Sequence, residues 1–351
     1  MFMPIDIRPD DYNYNDLLES LGITVYTTVD SFWKLMKKEK FKIAVLEFYY
    51  TAEHYIDRIR FTQPECKIVV DSVDVHFLRL KLKYNLTKEK LHYNNFIETK
   101  DREMAVYQKA DEVLTVTAVD ALAIQEECND ITGKVIPNIH EICLSGSEPI
   151  ENLLIFVGGF SHEPNVDAVR YFCQDILPII WNHKPDVKLV IVGSNPPTDV
   201  LSLASERIIV TGYVPETTPY LHKSKVSIAP LRFGAGMKGK IGEAMAHGVP
   251  VVTTSIGGQG MDLTDHNNVM IADSPESFAA STLELMMNFT LYEKIRNNAI
   301  KYIEKKYTST VVDMIVADIF KKICEKPVKK MNLGRKISLI NNYMVGLIKS
   351  F

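Results

Sequence analysis

The sequence has little of several things, and each shortage excludes a class of function. Its 351 residues hold five cysteines: Cys66, Cys128, Cys143, Cys173 and Cys324. They are scattered, odd in number and without metal-ligand spacing. That excludes a disulfide framework and predicts reduced thiols acting as small buried hydrophobes in a cytosolic protein. No run of roughly 18 apolar residues occurs, so no segment reads as a membrane span. The opening MFMPIDIRPDD has neither a basic n-region nor an apolar core and does not read as a secretory signal. A net charge of only −4 gives no global attraction to nucleic acid.

What is present is the ordinary balance of a globular protein, 46% hydrophobic and 24% charged, in a chain long enough for two domains. Apolar bursts of strand length alternate with segments of helical period, which predicts an α/β fold built on parallel sheets. In the first part, strands are expected at Ile23–Thr27, Ile43–Phe48, Lys67–Asp71, Glu112–Thr117 and Lys134–Ile136, with one long helix between Leu80 and Lys109. The polar stretch Leu144–Asn152, with Gly146 and Pro149, marks a boundary. Strands then restart at Leu153–Gly158, Val187–Val192, Ile208–Val210, Val226–Ala229, Val249–Thr254 and Val269–Ile271. After the first of these, Asn165 opens a helix with Val166, Val169, Phe172, Ile176 and Ile180 on one face. Helical sequence also runs from about Pro275 to Tyr307. The domains so read are 1–147, 148–310 and a C-terminal helix and tail over 311–351.

A doubly wound domain binds its ligand at the carboxyl ends of its strands. Those ends carry Gly158-Gly159, Gly193, Gly212, the Gly234 loop and Gly257-Gly258-Gln259-Gly260. The richest of them is GAGMKGKIGEAMAHGVPVV, Gly234 to Val252. Glycines leave backbone N–H groups free to face an anion, and the following helix aims its positive end at the same place. Lys238 and Lys240 add full charges, and Glu243 can accept hydrogen bonds from a sugar hydroxyl. A diphosphate next to a ribose suits the group. Gly234, Gly236 and Gly239 also spell G-x-G-x-x-G, but the next strand ends in Thr253-Thr254-Ser255, and Asp262 arrives only after a second glycine loop. A nicotinamide or flavin site is therefore disfavoured. A purely structural turn with solvated lysines is the plain alternative.

Together the segments FVGGFSHEPNVDAVRYF, VIVGSNPP, GYV and APLRFGAGMKGKIGEAMAHGVPVVTTSIGGQGM resemble glycosyltransferase family 4, the group 1 transferases. DSVDVHFLR at Asp71–Arg79 and VIPNIHE at Val135–Glu141 agree with it. The resemblance implies a GT-B fold, two doubly wound domains facing across a cleft. It implies a nucleotide-diphosphate sugar as donor substrate, no cofactor, and metal-independent transfer with retention. It places the diphosphate at the Gly234–Gly239 loop with Lys238 and Lys240, the ribose at Glu243, and the donor sugar near His76. Gly158, Gly159, Gly257 and Gly258 complete the donor-side loops, and Lys240 and His76 are the catalytic candidates. Asp74 and Arg79 would shape the acceptor side; Arg232 either contacts phosphate or pairs with a carboxylate.

Three departures accompany the resemblance. Ala235 stands where the family carries the earlier of two glutamates spaced around this loop. Gly159 and Pro164 stand where many relatives carry Arg and Lys. The N-terminus reads as short, since relatives usually begin with a strand, a glycine-rich loop and a helix before the region that starts here near Met1. These, with Gln259, motivate a second reading, a non-catalytic nucleotide-binding scaffold subunit of a glycan-assembly system. A third, a nucleotide-sugar epimerase, expects more acids and histidines than the sequence supplies. The first reading is a sugar transferase of polysaccharide biosynthesis acting on a glycan or lipid-linked acceptor. In the tail, Lys326, Lys329, Lys330, Arg335, Lys336 and Lys349 alternate with Leu333, Ile337, Leu339, Ile340, Met344, Leu347 and Ile348. That stretch crosses back onto the first domain, makes a peripheral membrane contact suited to a lipid-linked acceptor, or is a disordered end.

Overall fold

The computed structural model describes residues 2–3, 12–26, 29–331 and 334–339. Among these residues the strands form two wholly parallel sheets. The first contains β1 (Ile43–Glu47), β2 (Lys67–Asp71), β3 (Glu112–Thr115) and β4 (Lys134–Val135) in the order β1-β2-β3-β4. The second contains β5 (Ile150–Val157), β6 (Lys188–Val192), β7 (Ile208–Gly212), β8 (Ser224–Ala229), β9 (Val251–Thr253) and β10 (Met270–Ile271). Its order, β10-β9-β8-β5-β6-β7, reverses direction between β5 and β8.

The apolar runs explain the layering. Strands buried on both faces lack polar alternation, because helices cover each side. Along β5, Leu154 and Phe156 enter the core shared with Phe172, Ile176, Ile180 and Phe278, whereas Ile155 faces Ile241, Met245 and Ile303. In the first sheet Ile68 and Val70 pack on Ile56, Ile59 and Tyr107. The opposite face, Val69 and Leu114, is closed by Ile319 and Ile323 of the helix Ser309–Glu325. The C-terminal helix thus crosses back onto the first sheet. Lys326 then pairs with Glu112 at 2.5 Å, Lys329 Nζ donates to the Gln108 carbonyl at 3.2 Å, and Arg335 pairs with Asp57 at 2.8 Å. Residues 332–333 and 340–351 of the basic stretch lie outside the described residues.

Several expected elements differ. Ile23–Thr27 is not a sheet strand: its described part makes an isolated bridge between Val25 and Phe2. The Leu80–Lys109 segment is two helices, His76–Thr87 and Lys90–Tyr107, separated by Lys88 in the left-handed conformation, φ 58°. The Pro275–Tyr307 segment likewise divides at Asn288, whose side-chain oxygen accepts from Leu291 N–H and starts a new helix. The Asn165 helix begins at Glu163 and widens into a π turn over Phe172–Ile176 before continuing over Leu177–His183. Pro178 has no N–H to donate into the preceding turn, and the wider turn accommodates that loss.

The end of β6 approaches that of β5 so closely that Gly193 tolerates no side chain. A Cβ on Gly193 would stand 2.0 Å from the Gly158 carbonyl oxygen. Gly193→Ala is expected to lower stability to urea by about 3 kcal/mol, as an overpacked core does. Gly146→Ala, at a glycine with no atom within 4 Å of the added carbon, should change it by less than about 0.5 kcal/mol.

Candidate functional site

The reversal in strand order leaves a crevice where the connections from β5 and β8 leave in opposite directions, the place where a doubly wound sheet binds ligands. β5 ends there in Gly158-Gly159, and β8 ends in the loop that carries Gly234 to Lys238 and feeds the helix Gly239–Ala246. Gly234 (φ 144°) and Gly236 (φ 70°) adopt backbone conformations that side chains disfavour. The turns they permit enclose a cavity of about 180 Å³, lined among others by His162, Asn165, Phe233, Gly234, Lys238 and Lys240.

Both lysines are held by oxygen atoms rather than by carboxylates. Lys238 is buried, and its Nζ donates to the carbonyls of Gly236 at 2.9 Å and Ala235 at 3.2 Å. Lys240 Nζ donates to Asn165 Oδ1 at 2.9 Å, while Asn165 Nδ2 donates to the Gly159 carbonyl at 2.7 Å. Asn165 therefore ties the end of β5 to the glycine loop. Burial lowers both ammonium groups to a pKa of about 8. Asp120 and Asp74 oppose the shift at Lys238; the charge of Lys238 adds to it at Lys240, and Glu243 opposes it there. Two ammonium groups without a carboxylate hydrogen-bond partner, beside a helix N-terminus, form a candidate anion site.

The other residues singled out in the sequence take separate positions. Glu243 is half-buried and accepts a hydrogen bond from Thr217 Oγ1; it lies outside the lining of the lysine cavity. Arg232 makes a two-pronged ion pair with Asp167 and lies over the Tyr171 ring, 4.7 Å from its centroid. Of the two possibilities left open by its position, it takes the carboxylate. A Cβ on Gly257 would stand 2.1 Å from Thr253 Oγ1, so this glycine allows its loop to fold against β9. Gly258 has looser contacts, 3.6 Å to Leu263 and Thr253.

The first sheet supplies the facing wall. His76 starts its helix with its N–H, and that of Phe77, donated to the fully buried Glu103 at 3.0 and 2.7 Å. Tyr107 OH also donates to Glu103. The His76 ring bonds the Asp74 carbonyl at 3.0 Å and stands edge-on to Phe48, Tyr49 and Tyr50. Asp74 pairs with Arg79. Lys83 bridges to Glu163 of the second half at 2.7 Å. Burial and the cations Arg79, Lys240 and Lys238 lower His162 to a pKa of about 4, against the opposing charge of Asp74, so its ring is neutral at pH 7. The two halves thus meet beside the lysine cavity, whose own lining comes from the second half.

Asp120 makes the most direct link between them. Its carboxylate accepts the Gly236 N–H at 3.2 Å and the Thr117 hydroxyl at 2.5 Å, while Thr117 caps the helix Ala118–Glu127. The Thr117–Asp120 spacing is a legible capping signature. Its partner on a loop 116 residues away has no local signal. Glu103 and Asn165 have none either.

Residues 151–288 match the family model described as Glycosyl transferases group 1. Over 168 residues the chain is 26% identical to an uncharacterized 44.6 kDa protein in the cps region of Klebsiella pneumoniae, covering 45% of this chain and 43% of that protein. Over 188 residues it is 27% identical to an uncharacterized glycosyltransferase of Methanocaldococcus jannaschii, covering 50% and 46%. The matched regions thus span less than half of each curated relative. In structure the chain is similar to HepE of Anabaena, solved in complex with UDP and glucose: TM-score 0.66 at 13% identity, over 88% of this chain and 89% of that one. The chain accordingly has the GT-B fold, and its residues 151–288 match the Glycosyl transferases group 1 model.

Proposed function

We propose that the chain transfers a sugar from a nucleotide-diphosphate donor to a glycan or lipid-linked acceptor, with retention of configuration and without a catalytic metal. The observation that carries this reading is the glycine-walled cavity at the strand-order reversal, with Lys238 and Lys240 at its rim and no carboxylate in its lining. A uridine diphosphate sugar is the first donor to test, because HepE was solved with UDP.

In this reading the backbone around Gly158, Gly159, Gly257 and Gly258 lets the donor approach the strand ends. Lys238, Lys240 and the N–H groups around Gly234 and Gly239 neutralise the diphosphate, the Gly236 N–H being held by Asp120. Glu243 exchanges Thr217 for the ribose hydroxyls, and His76 faces the donor sugar. The acceptor oxygen forms its bond to the anomeric carbon on the face the diphosphate leaves. The bond from that carbon to the phosphate oxygen breaks, and the acceptor proton passes to the departing phosphate. Charge developing on the leaving group meets two ammonium groups already in place, which is the electrostatic work a metal would otherwise perform. Since Lys326, Lys329 and Arg335 are engaged with residues of the first half, a peripheral membrane contact would draw on the rest of the tail, including the exposed Lys330, Lys336 and Ile337.

Ala235 lines the cavity where the family carries a glutamate, and this favours a second reading, the nucleotide-binding scaffold. The two separate in one assay. Incubated with UDP-sugars and candidate glycans, the transferase releases UDP in step with product, whereas a scaffold binds donor and consumes none.

Three further outcomes are expected. Lys240→Ala should weaken nucleotide diphosphate binding by about 1.5–3 kcal/mol, as for a lost charged hydrogen bond, and leave nucleoside binding unchanged. Equal loss for both would place the diphosphate elsewhere. Glu243→Ala should weaken UDP more than its 2′-deoxy analogue; an equal effect removes Glu243 from the ribose. Since the free lysines lose their protons near pH 8 and an anion favours the charged form, binding should take up protons there. Affinity should then fall as pH rises above 8, by up to about tenfold per unit for each proton taken up. Calorimetry in buffers of different ionisation enthalpy measures that uptake, and none at pH 8 would contradict the lysine assignment.

A further inference from the structure

We propose that Cys143, His222 and His247 bind one d-block divalent cation, of which zinc is the first candidate. The three are distant in sequence, yet each offers a ligand atom within 4.8 Å of the other two. Ligands of a tetrahedral zinc stand about 3.3–3.6 Å apart, from metal–ligand lengths of about 2.0–2.3 Å. Closure therefore requires about 1 Å of side-chain movement, which the exposed Cys143 can supply.

The hydrogen bonds around the imidazoles are those of metal ligands. His247 Nδ1 stands 2.8 Å from the Glu243 carbonyl oxygen and donates its proton there, which leaves a lone pair on Nε2. His222 Nε2 stands 2.9 Å from the Cys143 carbonyl and donates there, which leaves a lone pair on Nδ1. A carbonyl holding the far nitrogen fixes tautomer and ring orientation in ligating histidines. The Thr218 hydroxyl, 3.2 Å from His247 Nε2, is the partner a cation would displace.

The backbone adds to the attraction. His222 sits in the last turn of the helix Thr218–Lys223, and His247 caps the end of the helix Gly239–Ala246. Both helices direct their negative ends at the cluster, which favours a cation. A neighbouring cavity of about 110 Å³, lined in part by His222, His247 and Glu293, provides room for a water as fourth ligand. One thiolate with two imidazoles selects zinc, cobalt or copper over magnesium or calcium, which prefer oxygen.

Such an ion would fasten the segment between the two sheets, where Cys143 N–H already donates to the Ala246 carbonyl at 3.0 Å, to the helix that carries Lys240 and Glu243. None of its three ligands lines the lysine cavity. The site is separate from the donor reading and stands or falls independently of it.

The test is a Co²⁺ titration of the reduced, chelator-treated full chain, followed by displacement with Zn²⁺. One equivalent is expected to bind, with a thiolate-to-cobalt charge-transfer band in the near ultraviolet and intense visible bands of a tetrahedral site. Cys143→Ser should abolish the charge-transfer band and, like His222→Gln, weaken binding by more than the roughly 10–100-fold that loss of an outer-shell partner costs. Cys324→Ser should change neither. Zn²⁺ should raise the thermal midpoint of the parent chain and not that of Cys143→Ser, whose unchanged circular dichroism would show it folded. Absence of saturable binding, a charge-transfer band that survives Cys143→Ser, or a band lost only with Cys324→Ser would each overturn the proposal.

Discussion

One buried carboxylate fixes the geometry on which the candidate site depends. Asp120 belongs to the first half of the chain, and the N–H it accepts belongs to Gly236 in the second. Burial raises its pKa, while the Thr117 and Gly236 hydrogen bonds and the charge of Lys238 hold the ionised form. The Gly236 carbonyl in turn receives Lys238 Nζ. One acid thus sets the loop, the loop sets the lysine, and the lysine forms part of the cavity wall. A buried N–H deprived of its acceptor costs about 1–3 kcal/mol, enough to change which turn the loop adopts. The second glycine loop meets the same place: a Cβ on Gly260 would stand 2.5 Å from Thr117 Cγ2. A side chain at Gly260 would hold the two walls apart.

The sheets contribute unequally because their strand orders differ. Reversal between β5 and β8 gives the second sheet a crevice lined by backbone, and a backbone crevice suits an anion of fixed shape. The first sheet runs in one direction among the described residues and presents side chains instead: His76, Asp74, Arg79 and Lys83. Glu103 steadies that wall by accepting two N–H groups at the start of the His76 helix and the hydroxyl of Tyr107. It has the place of an anion at a helix N-terminus, which leaves the His76 ring directed by the Asp74 carbonyl and the surrounding aromatic rings.

Much of this was legible in the sequence for physical reasons. Strands buried on both faces must be continuously apolar, so β5, β6 and β8 announced themselves, and glycines at their ends marked the crevice. Features decided by one residue's backbone were not legible. Lys88 breaks a helix with a left-handed turn that lysine rarely takes, and Asn288 starts a new helix inside an unbroken helical pattern. Features decided by distant partners were hidden as well. Asn165 looked like a helix opener, but the helix begins two residues earlier at Glu163; its bond to Lys240 exists only once β5 and β8 are neighbours. Cys143, His222 and His247 showed no ligand spacing because the fold, not the spacing, assembles them. Arg232 was ambiguous until Asp167 came within reach.

The central claim is that the loop from Gly234 to Lys240 is where a nucleotide diphosphate binds. Amide hydrogen exchange with and without UDP, read by mass spectrometry, tests it most directly. Exchange in peptides covering Gly234–Glu243 and Gly158–Asn165 is predicted to slow when UDP is added, and much less with uridine. Saturating UDP that leaves these peptides unchanged while protecting another part of the chain would contradict the account.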